Sequence, residues 1–257
     1  MSLHACAAMV EAGDPDRFAA TMAAPPAART RLWPLYAFNL EVARAAYASD
    51  EPLVAEMRLQ WWVDEVARLA SGSPPQGDVA AALQPMLRED PGLGALLAAI
   101  AEARRWDCWR EAFADRAGFE TYLNATSGNL VWAAARALGA GAEAEVPVRD
   151  FAFGVGLANW FDAVPALMAR GRLPLPDPSC DAIARLAASG LGRMENARAH
   201  HQRVPKSARP ALWPGWSAAR RLVVAQGAPE RVFDGNLPAP DPSRALALLW
   251  RVFSGRW

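Results

Sequence analysis

Apolar residues recur at intervals of three and four along nearly the whole chain, and no run alternates apolar and polar positions as a half-buried strand would. The pattern predicts an all-α protein. Caps and breakers divide it. Asp14-Pro15-Asp16 opens a short helix, with the proline suited to the first turn. A helix over about 28–48 follows, then one capped by Ser49 or Asp50 with Pro52 in its first turn. That helix carries two apolar stripes, Leu53, Met57, Trp61 and Leu59, Trp62, Val66, Leu69, which predicts burial between two layers. After a Ser/Gly/Pro loop at 71–77 come a short helix at 78–89, a long one at 93–114, and another at 118–138 ended by Gly139-Ala140-Gly141. The remaining helices are expected over 147–170, 179–202, a proline-broken 208–226, and a last one from Asp241-Pro242 with Leu246, Leu249, Trp250 and Phe253 on one side. A proline-rich connector covers 173–178. With no internal repeat and no dividing linker, the reading is one helical domain over residues 1–257.

Composition narrows the function. A formal net charge of zero leaves no electrostatic footprint for nucleic acid. Lys206 is the only lysine, so the basic residues are nearly all arginine. The three cysteines, Cys6, Cys108 and Cys180, form no CxxC pair, and their odd number suits a reducing compartment. The first residues lack a basic run and meet Glu11, so no secretory signal is expected and a cytoplasmic location is. Residues 151–169 carry one charge, Asp162, and approach the length of a bilayer span. Gly154, Gly156, Asn159 and Pro165 within them favour a buried helix lining a cavity.

Four landmarks carry a family resemblance across about residues 14–257. They are Asp16-Arg17-Phe18 followed by Leu35-Tyr36-Ala37-Phe38; Met57-Arg58-Leu59-Gln60-Trp61-Trp62; the stretch from Tyr122 to Leu138; and Arg170-Gly171-Arg172-Leu173-Pro174-Leu175-Pro176. The chain resembles the squalene/phytoene synthase family. That resemblance implies an isoprenoid-synthase-like helical bundle around a central cavity. It also implies two aspartate-rich motifs whose carboxylates, at i and i+4 on facing helices, hold the magnesium ions that neutralise a diphosphate leaving group. In the register of this chain those positions fall on Ala43, Arg44 and Tyr47, and on Ala163 and Leu167. Asn159 matches the Asn that opens the second motif, and Asp162 stands one place off. One branch shares this loss. It resembles the mitochondrial complex I assembly factor built on the same fold, and the Tyr36-to-Ala43 and Met57-to-Trp62 stretches look closer to it than to true synthases.

The resemblance makes Tyr36, Phe38, Glu41, Arg44, Arg58, Trp61, Tyr122, Asn159, Arg170 and Arg172 the candidates for the cavity or a ligand. Glu41, Arg44, Arg58 and Gln60 would either lock two helices or meet an anionic head group. Gly154 and Gly156 would either open room for an apolar ligand or let two helices approach. Asp107, Glu111 and Asp115, at i, i+4 and i+8, are the best carboxylate row for a displaced metal site; the ordinary alternative is a solvated helix face with arginines around it. His200-His201 has no acidic or cysteine partner in helical reach and does not suggest zinc. Eleven tryptophans are present; Trp213, Trp216, Trp250 and Trp257, late in the chain and near arginines, would suit an interfacial patch.

The first expectation is therefore a family member without its metal ligands and without a cofactor, serving as a respiratory complex I assembly-type factor with respiratory-complex subunits as partners. An isoprenoid or lipid ligand in the cavity, and peripheral contact with the inner face of the membrane, are compatible with it. The alternative is an active magnesium-dependent prenyltransferase of the phytoene or squalene synthase type with its metal site displaced. Fold alone does not decide between them.

Overall fold

A computed structural model describes residues 2–49, 51–238 and 257. The described residues form eleven α-helices and several short 3-10 turns, with no strand among them. The helices are α1 (Ser2–Gly13), α2 (Pro15–Met22), α3 (Pro26–Ala45), α4 (Pro52–Ala70), α5 (Asp78–Glu89), α6 (Pro91–Ala103), α7 (Arg116–Leu123), α8 (Asn129–Ala137), α9 (Glu145–Ala169), α10 (Cys180–Ala199) and α11 (Ala218–Gly227). The buried residues form one contiguous core.

Two layers meet on α8. On one side α1, α3, α4, α5 and α6 pack against one another; on the other α9 packs against α10 and α11. The α8 helix touches α3, α6 and α9. Local chemistry sets the ends. Asp14 accepts the Arg17 backbone N–H at 3.0 Å to cap α2, and Pro15 follows it. Asp90 caps α6 through the Gly92 N–H at 2.9 Å and receives Arg136 of α8 at 2.6 Å, so one carboxylate both starts a helix and ties it to a neighbour. Gly171, at φ +71°, ends α9. The Arg172 N–H reaches Leu167 O and the Gly171 N–H reaches Met168 O, the paired bonds that require a left-handed residue at this place.

The α9 helix is the long apolar stretch seen in the sequence, and it alone among the described helices is long and apolar enough to cross a membrane. Its most apolar 18-residue stretch is 67% buried inside the molecule, as befits a core helix. Its glycines divide their roles. A Cβ on Gly154 would stand 2.4 Å from Met194 Cγ and 3.2 Å from Gly190 O, so this glycine serves the close approach of α9 to α10. A Cβ on Gly156 would meet Ser127 Cβ at 2.6 Å, on the chain leading into α8.

Three expectations need correction. The long helix foreseen over 93–114 ends at Ala103, becomes a 3-10 turn over Arg104–Cys108 and leaves regular structure at Trp109. Helix continuation would need the carbonyls of Trp106 and Asp107. The Arg172 guanidinium takes both, at 3.1 and 2.7 Å, while Phe113 folds back to stack on Trp106 at 3.9 Å between ring centroids. The stripe Leu53, Met57, Trp61 is not buried between layers: Leu53 is 66% and Met57 71% exposed, and only the other face of α4 packs, against α5 and α6. Finally, Trp213 and Trp257 are buried and Trp216 is half-buried, so they form no surface patch. Trp250 and the helix expected from Asp241 lie outside the described residues, as does Asp50.

The 3-10 turn Trp213–Gly215 presses on α9 with no room to spare, since a Cβ on Gly215 would fall 2.4 Å from Val155 Cγ2 and 2.7 Å from Phe151 Cε1. Gly215→Ala is expected to destabilise the fold by about 1–3 kcal/mol, as overpacking against rigid neighbours does, read as a lower denaturation midpoint at unchanged slope.

Candidate functional site

A cavity of about 360 Å³ lies between α3, the segment joining α7 to α8, and α9. Three residues of α3 at helical spacing, Asn39, Ala43 and Tyr47 just past its end, face it. From α9 come Asn159, Ala163 and Leu167, again at i, i+4 and i+8, joined by Ala166 and Arg170. The third wall is made by Tyr122, Thr126, Ser127 and Leu130. Residues Asn124–Gly128 form a single turn of π-helix between α7 and α8. Such a turn adds a residue to the helical circuit and is often found at functional sites. Here Thr126 Oγ1 donates back to Tyr122 O at 2.8 Å and Ser127 Oγ to Ala152 O of α9 at 3.2 Å, which turns two hydroxyl-bearing residues toward the cavity.

Two carboxylates reach the lining, Asp14 and Asp107. Both have arginine partners. Arg17 lies 3.4 Å from Asp14 and stacks over the Tyr36 ring at 5.0 Å. Asp107, 1% exposed, accepts Arg104 at 2.9 Å and the Tyr122 hydroxyl at 2.8 and 2.9 Å on its two oxygens. Burial, with the Asp107 charge beside it, holds the Tyr122 phenol well above its ordinary pKa, and the same two causes push Tyr47 up to about 12. Both phenols are therefore neutral hydrogen-bond donors at physiological pH rather than bases. Arg170 stacks on the Tyr47 ring at 5.0 Å.

The cavity continues outward into a vestibule of about 570 Å³ that shares Tyr47, Asp107 and Arg170 and adds Pro52, Trp109, Arg110 and Arg172. Beside it, a groove of about 260 Å³ is lined by Glu41, Arg44, Arg58, Trp61 and Trp62.

The sequence candidates thus separate into groups. Tyr122, Asn159 and Arg170 line the cavity, with Ala43, Tyr47, Ala163 and Leu167 among them. Arg172 lies under the vestibule, where its guanidinium also sits 5.1 Å over the Trp106 ring. Glu41, Arg44, Arg58 and Trp61 belong to the neighbouring groove; Glu41, Arg44 and Arg58 make no ion pair among the described residues, and the Arg44 guanidinium lies against Gly13 of α1. Gln60 bonds Asp64 at 2.7 Å and Arg105 instead. Tyr36 and Phe38 do not line the cavity: both are core residues, Phe38 edge-on to Trp62 at 5.1 Å and Tyr36 with its hydroxyl unpartnered. His200 and His201 each direct Nδ1 to a backbone oxygen at 2.9 Å.

The proposed carboxylate row does not exist as a row. Asp107 is buried, Glu111 is exposed in irregular chain, and Asp115 caps α7 through the Gly118 N–H at 2.7 Å. The solvated-face alternative fails for Asp107 for the same reason. Among the described residues no group of three or more His, Cys, Asp or Glu converges as a metal site would. Sequence reading missed Arg104, Thr126 and Ser127 in the lining; only the Asn-Ala-Thr-Ser-Gly run, poor in helix formers, hinted at an irregular turn.

This geometry agrees with what comparison finds. The squalene/phytoene synthase family model matches residues 10–182, more than half of the chain. The chain belongs to that family. Among curated proteins it is similar to the NADH dehydrogenase (ubiquinone) complex I assembly factor 6 of Homo sapiens, 22% identical over 230 residues covering 81% of this chain and 69% of the relative. The Rattus norvegicus protein of the same name is 22% identical over 270 residues, 96% of this chain and 81% of the relative. Among solved structures it is similar to a dehydrosqualene synthase in complex with ligand, at TM-score 0.80 and 15% identity over 98% of this chain and 95% of the other. A squalene synthase from Alicyclobacillus acidocaldarius follows at TM-score 0.73 and 15% identity, covering 93% and 95%. At such identities the structures establish the fold, an isoprenoid-synthase-like helical bundle.

The carboxylates differ in consequence when replaced. Asp107→Asn strands a half-buried guanidinium and is expected to cost about 3 kcal/mol. Asp115→Ala loses a cap worth about 1 kcal/mol, and Glu111→Ala stays within about 0.5 kcal/mol. Urea denaturation of the three variants separates this ranking from a shared metal site, which would make all three lose together any magnesium-induced gain in stability.

Proposed function

We propose that this family member has left diphosphate ionisation behind and serves as a scaffold in the assembly of respiratory complex I, with the cavity kept for an isoprenoid or other apolar ligand. The observation that carries this reading is the set of side chains that α3 and α9 present to the cavity. Asn39, Ala43 and Tyr47 face Asn159, Ala163 and Leu167, without a carboxylate among them. A magnesium–diphosphate site needs several hard oxygen ligands around each ion. Methyl, isobutyl and a neutral phenol supply no anionic oxygen, and the carboxylates of Asp14 and Asp107 already neutralise Arg17 and Arg104. The donor set does not suit magnesium. What remains is a cavity of mixed character, with amide and hydroxyl groups on part of its wall and alanine, leucine and tryptophan on the rest.

Two relatives named for complex I assembly, matched over most of this chain, support respiratory-complex subunits as the partners. Purified protein given magnesium and farnesyl or geranylgeranyl diphosphate, beside a true synthase, is expected to release no pyrophosphate. Deletion of the gene is expected to lower assembled NADH dehydrogenase. Steady turnover would restore the prenyltransferase reading, and unchanged complex I in the deletion strain would remove the assembly role.

A further inference from the structure

We propose that the cavity selects a neutral hydroxyl head on an apolar body, a prenyl alcohol, and excludes the diphosphate. The isoprenoid body rests on the function proposed above; the head group follows from hydrogen-bonding capacity that the walls leave unused. Asn39, on the α3 wall, is 9% exposed, and its amide makes no side-chain hydrogen bond among the described residues. A buried amide without a protein partner is costly unless something in the cavity meets it. Asn159 stands across from it on α9, exposed and equally without a side-chain hydrogen bond. The Tyr47 hydroxyl has no hydrogen-bond partner either. Each amide donates and accepts, and the neutral phenol donates.

The π turn decides the head. Thr126 Oγ1 commits its hydrogen to Tyr122 O at 2.8 Å, and Ser127 Oγ commits its own to Ala152 O at 3.2 Å. What these two residues have left for the cavity is acceptor lone pairs. A head that only accepts would set lone pair against lone pair there. A phosphate, which is also charged, fares worst. Of the guanidiniums in the lining, Arg17 and Arg104 are paired with Asp14 and Asp107, and Arg170 lies over the Tyr47 ring. One remaining cation does not neutralise a diphosphate. A hydroxyl donates to the π turn and accepts from Asn39, Asn159 or Tyr47. Ala43, Leu130, Ala163, Leu167 and the Trp160 ring supply the apolar wall for its body. The cavity, at about 360 Å³, is at the small end of the ~300–1,000 Å³ usual for small-molecule sites, and the vestibule gives a longer tail a way out.

Three ligands with one tail test the head: farnesol, farnesal, and farnesyl diphosphate with magnesium, each titrated calorimetrically into the purified protein. Farnesol is expected to bind at least about tenfold more tightly than the diphosphate, whose charge would be buried without neutralisation. It is expected to bind about five- to tenfold more tightly than farnesal, which lacks the donor. Thr126→Val/Ser127→Ala keeps the shape of the wall and is expected to bind farnesol and farnesal equally. A merely structural role for the two hydroxyls would lower the melting temperature and leave that preference intact. Asn159→Leu, at an exposed position, is expected to weaken farnesol binding about five- to tenfold at unchanged melting temperature. Diphosphate or aldehyde binding as tight as the alcohol's, or a preference unchanged in the double variant, would overturn the proposal while leaving an isoprenoid ligand in place. Binding of none of the three would overturn it together with the ligand reading. The assembly role is read separately, from complex I levels.

Discussion

A buried guanidinium organises this protein. Arg172 enters the core directly behind the glycine that ends α9 and takes the carbonyls of Trp106 and Asp107. Those carbonyls are the ones α6 would need to continue as a helix. The chain therefore turns, the Asp107 carboxylate swings inward, and Arg104 and Tyr122 close on it. A charge this deep is tolerated only with its partners in place. Removing any one of them leaves an orphan, which couples the end of α9, the turn after α6 and the start of the π turn into one unit.

The cavity is the outcome of that coupling. The π turn at Asn124–Gly128 rotates Thr126 and Ser127 inward, and Gly156 admits Ser127 against α9. The aromatic rings of Trp106, Phe113, Tyr122 and Trp160 fill the space behind, with Tyr122 and Trp160 at 5.2 Å. A cavity walled in this way is preorganised, and its character follows from what α3 and α9 turn toward it. In this chain those groups are small, apolar or neutral; Asp14 and Asp107 are paired with Arg17 and Arg104, and Arg170 lies over the Tyr47 ring.

Much of this was legible in the sequence, for identifiable reasons. Helix period and capping residues gave α2, α9 and α10 within a few residues. The Arg-Gly-Arg run gave a register through its resemblance to the family's turn, and the positions counted back from it, Ala163 and Leu167, are among the residues that line the cavity. What escaped depended on contacts distant in sequence. Nothing near Asp107 announces that a guanidinium 65 residues later will end its helix, and the local spacing of Asp107, Glu111 and Asp115 looked like a helical row for that reason. Periodicity also marked both faces of α4 as apolar, but which apolar face meets a partner is a tertiary fact. The late tryptophans misled similarly: Trp213 and Trp257 fill the core, while Trp61 and Trp109 reach the surface.

The central claim is that a prenyl-synthase fold persists here after the metal–diphosphate chemistry has gone from its cavity. Titration calorimetry of inorganic pyrophosphate into the protein, with and without magnesium, tests it most directly. The account predicts that magnesium brings no gain in affinity, since none of the residues that α3 and α9 turn into the cavity is a carboxylate. Tight binding that appears only with magnesium would contradict it.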